Sequence, residues 1–267
     1  MMDFNEDFEK YLIAWYTSRG QIFAPDDAEE LVADVYAEWA DLPKKELGGI
    51  SPRAYFQAVT TPENLTELFL EVTSLNKKPC PLLLDRMTEV KECEISLLQI
   101  LQGDYLPFAK ITAVSFLNEA GYEPPLELYA RMVGSPESSS ALVDLCVEVL
   151  CENAEAAAPF LFPLLNNAEE PQKACMAEIL ICAAHDERTY ALLQDLFENG
   201  SNVPLYAWYL GKYGDERAAT GLYKKLDTCN YAEYLEVKNA IERMGGCVED
   251  TRDFSNDADY QRIKGHG

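Results

Sequence analysis

The chain has 267 residues, with 46 Asp and Glu against 22 Lys and Arg, a formal net charge of -24, and 48% hydrophobic and 11% aromatic residues. That length and apolar content are enough for a packed core without a disulfide or metal staple, and they exclude wholesale disorder. The acidity is even, with 23 acidic and 11 basic side chains in each of residues 1–133 and 134–267, so no basic face exists to replace phosphate counterions, and nucleic acid and anionic membrane are poor partners.

Apolar residues recur at helical spacing from the start. Phe8, Tyr11, Leu12, Trp15 and Tyr16 define a first amphipathic helix, and Leu31, Val32, Val35, Tyr36 and Trp39 a second. Asp26 and Asp27 precede the second, where carboxylates suit the positive end of a helix dipole. Leu42-Pro43 closes it, and Ser51-Pro52 opens the next with a capping hydroxyl and a first-turn proline. Helices are then predicted at about 62–76, 80–89, 91–102, 106–120, 124–132 and 138–152, divided by Pro, Gly, Asn or Asp. No stretch sustains period-two alternation, so twelve to fifteen helices and no sheet are expected.

The second half repeats itself. Asp186-Glu187-Arg188 recurs 29 residues later as Asp215-Glu216-Arg217, with Ile181, Leu193 and Phe197 mapping onto Leu210, Leu222 and Leu226. A weaker copy, Ala157 to Leu165, takes the place of the helix containing Leu192 and Leu193. A period near 30 with two helices per unit is the mark of an α-solenoid, whose units bury their apolar faces by stacking. Asp215 is placed to cap a helix, Gly211 to let a neighbouring helix approach or to end its helix, and Gly200 to end a helix in the left-handed conformation. From Cys247 onward the sequence turns polar and reads as a frayed tail or a loose capping helix.

The segment Ala207-Trp208-Tyr209-Leu210-Gly211-Lys212-Tyr213-Gly214-Asp215-Glu216-Arg217-Ala218-Ala219, with Leu222 and Leu226 after it, resembles the short HEAT-like, armadillo-like repeat also found in phycobilisome-lyase-type proteins. The resemblance covers residues 140–246 and is clearest over 203–246. The Val-Arg pair that usually opens the second helix of such repeats is replaced by Gln172-Lys173 and Val203-Pro204. The resemblance implies an all-α superhelix of stacked antiparallel helix pairs, irregular in its N-terminal half. The expected organisation is a helical-hairpin part at 1–133, a repeat part at 134–247 packed continuously with it, and a polar tail at 248–267.

Catalytic chemistry finds little material. His185 and His266 are the only histidines and neither belongs to a metal-binding pair; His185 reads as a turn residue in the place Gly214 holds one repeat later. Asp26, Glu30, Asp34 and Glu38 form a carboxylate stripe, which a straight helix presents in a row rather than around an ion. Ser138-Ser139-Ser140 lies at a helix start, where hydroxyls cap, and no glycine loop for phosphate is present. The eight cysteines include no C-x-x-C pair and read as free thiols of a reducing compartment; Cys175 and Cys182, two turns apart on one helix, read as core residues. No apolar run reaches the ~20 residues of a membrane span, and the acidic start MMDFNEDFEK is unlike a secretory signal, so a cytoplasmic location is expected. No catalytic, cofactor or metal site is expected.

Aromatic surface remains. On 203–213 Tyr206, Tyr209, Leu210 and Tyr213 form the core face, leaving Leu205, Trp208 and Lys212 on the other side. With Ile179, Glu242 and Arg243 these are the candidate partner-binding residues, as a row lining the inner surface of a curved stack, the competing reading being burial of Trp208 in the core against a neighbouring helix. The expectation is a non-enzymatic protein-binding adaptor whose acidity favours a basic partner or segment, in one version an inhibitor or immunity-type protein. The alternative is an enzyme built on the repeat scaffold, such as a bilin-lyase-like activity implied by the resemblance, which calls for a deep pocket with convergent carboxylates or an activated cysteine.

Overall fold

The computed structural model describes residues 2–19, 25–249 and 252–264; Asp26, Asp27 and Glu30 (side chains) and His266 lie outside what is described. All regular structure among the described residues is helical, and the chain divides into two compact units, Met1–Glu123 and Pro124–Gly267.

The first unit contains α1 (Phe4–Arg19), α2 (Pro25–Asp41), α3 (Pro52–Gln57), α4 (Pro62–Ser74), α5 (Pro81–Glu89), α6 (Cys93–Gln102) and α7 (Pro107–Glu119). Helices α1 and α2 pair through Phe8, whose ring meets Tyr36 at 4.8 Å and Trp39 at 5.4 Å. Trp39 is fully buried, so its indole N–H needs an acceptor. It donates to Asp7 at 2.8 Å, and Lys44 closes on the same carboxylate at 2.6 Å. Prolines set the starts of α3 and α4, where Ser51 accepts from the Ala54 N–H and Thr61 from that of Asn64. Helix α4 packs against α5, α6 and α7 together, burying Leu65 and Phe69 completely. One helix serving three neighbours is not a simple stack of pairs, which gives this part its irregularity.

The second unit contains α8 (Leu126–Val133), α9 (Ser140–Glu152), α10 (Ala154–Leu161), α11 (Glu170–Leu180), α12 (Glu187–Asn199), α13 (Val203–Tyr213), α14 (Ala219–Leu226), α15 (Tyr231–Arg243) and α16 (Ala258–Lys264). Helices α9, α11, α13 and α15 are successive neighbours in one layer, and α10, α12 and α14 each pack against the layer helix that follows. This is the stacked helix-pair arrangement of a solenoid. The unit begins at Pro124, earlier than the expected 134, because α8 packs on α9, α10 and α11.

The two Asp-Glu-Arg segments have the same local geometry. Asp186 accepts from the Arg188 N–H at 2.8 Å and Asp215 from that of Arg217 at 3.0 Å, and each arginine returns a two-pronged bond to its aspartate. Each guanidinium also lies over an aromatic ring from the preceding pair, Arg188 over Phe162 at 3.6 Å and Arg217 over Tyr190 at 4.1 Å. Leu193, Phe197, Leu210 and Leu222 are buried, and Leu226 is partly so. The weaker copy is not one helix: Pro159 lies inside α10, and from Phe162 to Asn167 the chain tightens into a 3-10 helix. A proline there lacks the N–H donor and crowds the preceding turn, which shortens the helix.

Two local expectations are corrected. Gly200 is extended, at φ -83°, and is small for a different reason: a Cβ would stand 2.5 Å from both the Leu196 carbonyl and the Tyr206 ring. Ser139 precedes α9 without a side-chain cap bond. Of the two readings of the C-terminal segment, a frayed tail or a loose capping helix, the cap is the one found. Phe254 is buried in a cluster with Cys229 and Tyr234, flanked by Leu226, Tyr231, Val248 and Tyr260. Arg252 donates to the Leu226 carbonyl at 2.5 Å. A terminal pair has one apolar face with no successor to cover it, and this segment supplies the cover.

Candidate docking surface

Helix α13 carries the candidate site and is held from both sides of its layer. Its buried face is Tyr206, Tyr209, Leu210 and Tyr213, as its periodicity predicts. Buried phenols need acceptors, and α11 provides them: Tyr206 donates to Glu170 at 2.6 Å and Tyr209 to Glu178 at 3.3 Å. Glu170 also accepts from the Ser201 amide and hydroxyl, at 2.6 and 2.8 Å. The Tyr206 bond first, and then Ser201, hold its carboxyl below the ordinary value. Burial pushes the Tyr206 and Tyr209 phenols upward. On the α15 side Gly211 lies against Ala240, where a Cβ would come within 2.7 Å of the Ala240 Cα. Tyr213 stacks on His185 with centroids 4.2 Å apart and exchanges hydrogen bonds with the Asp186 backbone, so His185 is a turn residue packed on the next pair.

Trp208 is half-buried, with Tyr209 inside it at 5.5 Å. The Lys212 ammonium lies 5.2 Å from the indole centroid and the Arg243 guanidinium 5.9 Å, one from α13 and one from α15. Both distances are in the range where a cation is attracted to an aromatic ring. Leu205 is half-buried, and Lys212, Glu242 and Arg243 are exposed. Glu242 pairs with Lys238 at 3.9 Å within α15. Five of the six expected residues thus have accessible surface. Ile179 does not: it is fully buried, because its side of α11 faces the core rather than the row.

Lys212 reaches beyond the expected set and donates to the Cys182 sulfur at 3.5 Å. Cys182 is exposed, not a core residue, and neighbours Cys151 of α9. The spacings Cys151–Cys182, Cys182–Lys212 and Lys212–Arg243 are 31, 30 and 31 residues. They follow the same period near 30 as the Asp-Glu-Arg repeat, so the period extended to polar positions would have found them.

Elsewhere, an apolar cleft in the first unit is lined by Phe4, Phe56, Leu68, Val72, Leu75 and Leu83, and the Asp3–Lys77 ion pair stands at it. Among the described residues no three His, Cys, Asp or Glu side chains are grouped to hold a metal ion. Burial raises the thiol pKa at Cys80, Cys93, Cys146, Cys151, Cys175 and Cys229, opposite to what an activated nucleophile needs. No helix is long and apolar enough to cross a membrane among the described residues. No family model, curated protein or solved structure matches the chain.

Proposed function

We propose that the chain is a non-enzymatic adaptor of the HEAT-like repeat type, acting in the cytoplasm, that binds another protein along the layer formed by α9, α11, α13 and α15. The observation that carries this reading is Trp208: a large aromatic residue, half-buried on a supported helix and flanked by Lys212 and Arg243. An indole that keeps accessible surface in such a setting gains a large desolvated contact when a partner covers it. Leu205 and Glu242 complete the surface.

Charge acts at two ranges. The net charge of -24 draws a basic partner or segment and slows acidic competitors. At contact, Lys212 and Arg243 call for a carbonyl or carboxylate opposite the indole. A protein that occludes the basic surface of an enzyme, as an inhibitor or immunity-type protein does, fits both requirements.

Affinity capture on the immobilised full chain at low and high salt, with mass spectrometry of what is retained, tests the reading. It expects a stoichiometric basic protein at low salt that is depleted at high salt and not retained by Trp208→Ala. Equal retention by the variant, or a salt-insensitive acidic partner, overturns it.

A further inference from the structure

The thiols of Cys151 and Cys182 meet at one backbone oxygen. Cys151, in the last turn of α9, donates to the Glu178 carbonyl at 3.7 Å, and Cys182, just past the end of α11, donates to the same oxygen at 3.5 Å. They belong to successive pairs of the stack, so a bond between them would tie two layer helices together. Neither Cys175, inside α11 and seven residues before Cys182, nor the buried Cys80, Cys93, Cys146 and Cys229 offers the same opportunity.

We propose that Cys151 and Cys182 are a reversible dithiol–disulfide pair, oxidised by a hydroperoxide, that cross-links α9 to α11. Cys182 is the entry point, because it is exposed and has the Lys212 ammonium 3.5 Å from its sulfur. Its sulfur attacks the terminal peroxide oxygen and the O–O bond breaks. The departing alkoxide or hydroxide takes a proton from Lys212, which recovers one from the reacting thiol through solvent. Cys182 is now a sulfenic acid. The Cys151 sulfur then attacks the Cys182 sulfur; the S–S bond forms, the S–O bond breaks, and the hydroxide leaves as water with the Cys151 proton. Two thiols are oxidised to a disulfide while one hydroperoxide is reduced to an alcohol, or to water, plus water. The order of attack agrees with the protonation of Cys151, whose thiol is pushed up to about 12 by burial and then by Cys182, so it waits for an activated sulfur. This inference does not depend on Trp208 binding a partner.

Peptide mapping of the full chain after hydrogen peroxide treatment and thiol blocking decides it. Expected is the loss of two free thiols per chain and one intramolecular Cys151–Cys182 bridge, reversed by dithiothreitol and retained in Cys175→Ser. Cys151→Ser and Cys182→Ser, checked as folded by circular dichroism, should each lack the bridge. Lys212→Met should form the same bridge at least about tenfold more slowly, as removal of a proton donor requires. A bridge to Cys175, bridges only between chains, or over-oxidised Cys182 beside free Cys151 overturns the proposal. If a variant fails to fold, the wild-type map by itself distinguishes these outcomes.

Discussion

Gly211 marks the closest approach of α13 to α15, with no room for even one added carbon beside Ala240. Gly211→Ala should therefore cost about 1–3 kcal/mol through overpacking, read as a lower urea midpoint at unchanged slope. Glu170 makes a different kind of contribution, through the charge that Tyr206 and Ser201 stabilise. Its folded pKa lies below the ordinary 4.5, so the linked stability is present above that value and fades as pH falls through the depressed folded pKa. Glu170→Gln should flatten the loss of thermal stability below about pH 4.5. An acid profile as steep as that of the wild type would mean that the cluster does not hold the start of α11 against α13.

Helix starts in this chain announce themselves, as at Ser51-Pro52, Thr61-Pro62 and Asp186, because capping and first-turn chemistry is local and survives in any packing. Asp186→Ala and Asp215→Ala should lower the melting temperature by comparable amounts, since both remove the same cap and the same arginine clamp. Periodicity also finds the buried face of α13 but not the accessibility of α11, where Ile179 is expected outside and is core. A helix in the middle of a layer is covered on several sides, so one apolar stripe does not say which remaining residues face solvent. A capping helix is one of the two readings the C-terminal segment allows, but the anchor is illegible for a related reason: Phe254 is isolated in a polar stretch and acquires meaning only from the uncovered end of α14 and α15. Phe254→Ala should open the cluster at about 3 kcal/mol or more, with faster amide exchange in α15 than in α9. The thiol pair is invisible to spacing along one helix, because contacts in a stack recur at the repeat period instead.

At the scale of the molecule, acidity and the proposed docking would be linked through screening. A net charge of -24 self-repels, and a Debye length of about 8 Å at physiological ionic strength removes much of that repulsion. The melting temperature should rise on going from low to physiological salt, while attraction of a basic partner weakens. The direct test of the docking surface is the dissociation constant of the partner retained at low salt, measured for Trp208→Ala against the wild type. An interface anchor predicts weakening by about 2 kcal/mol or more, roughly thirtyfold, in a variant that remains folded. An unchanged constant would contradict a docking site at Trp208.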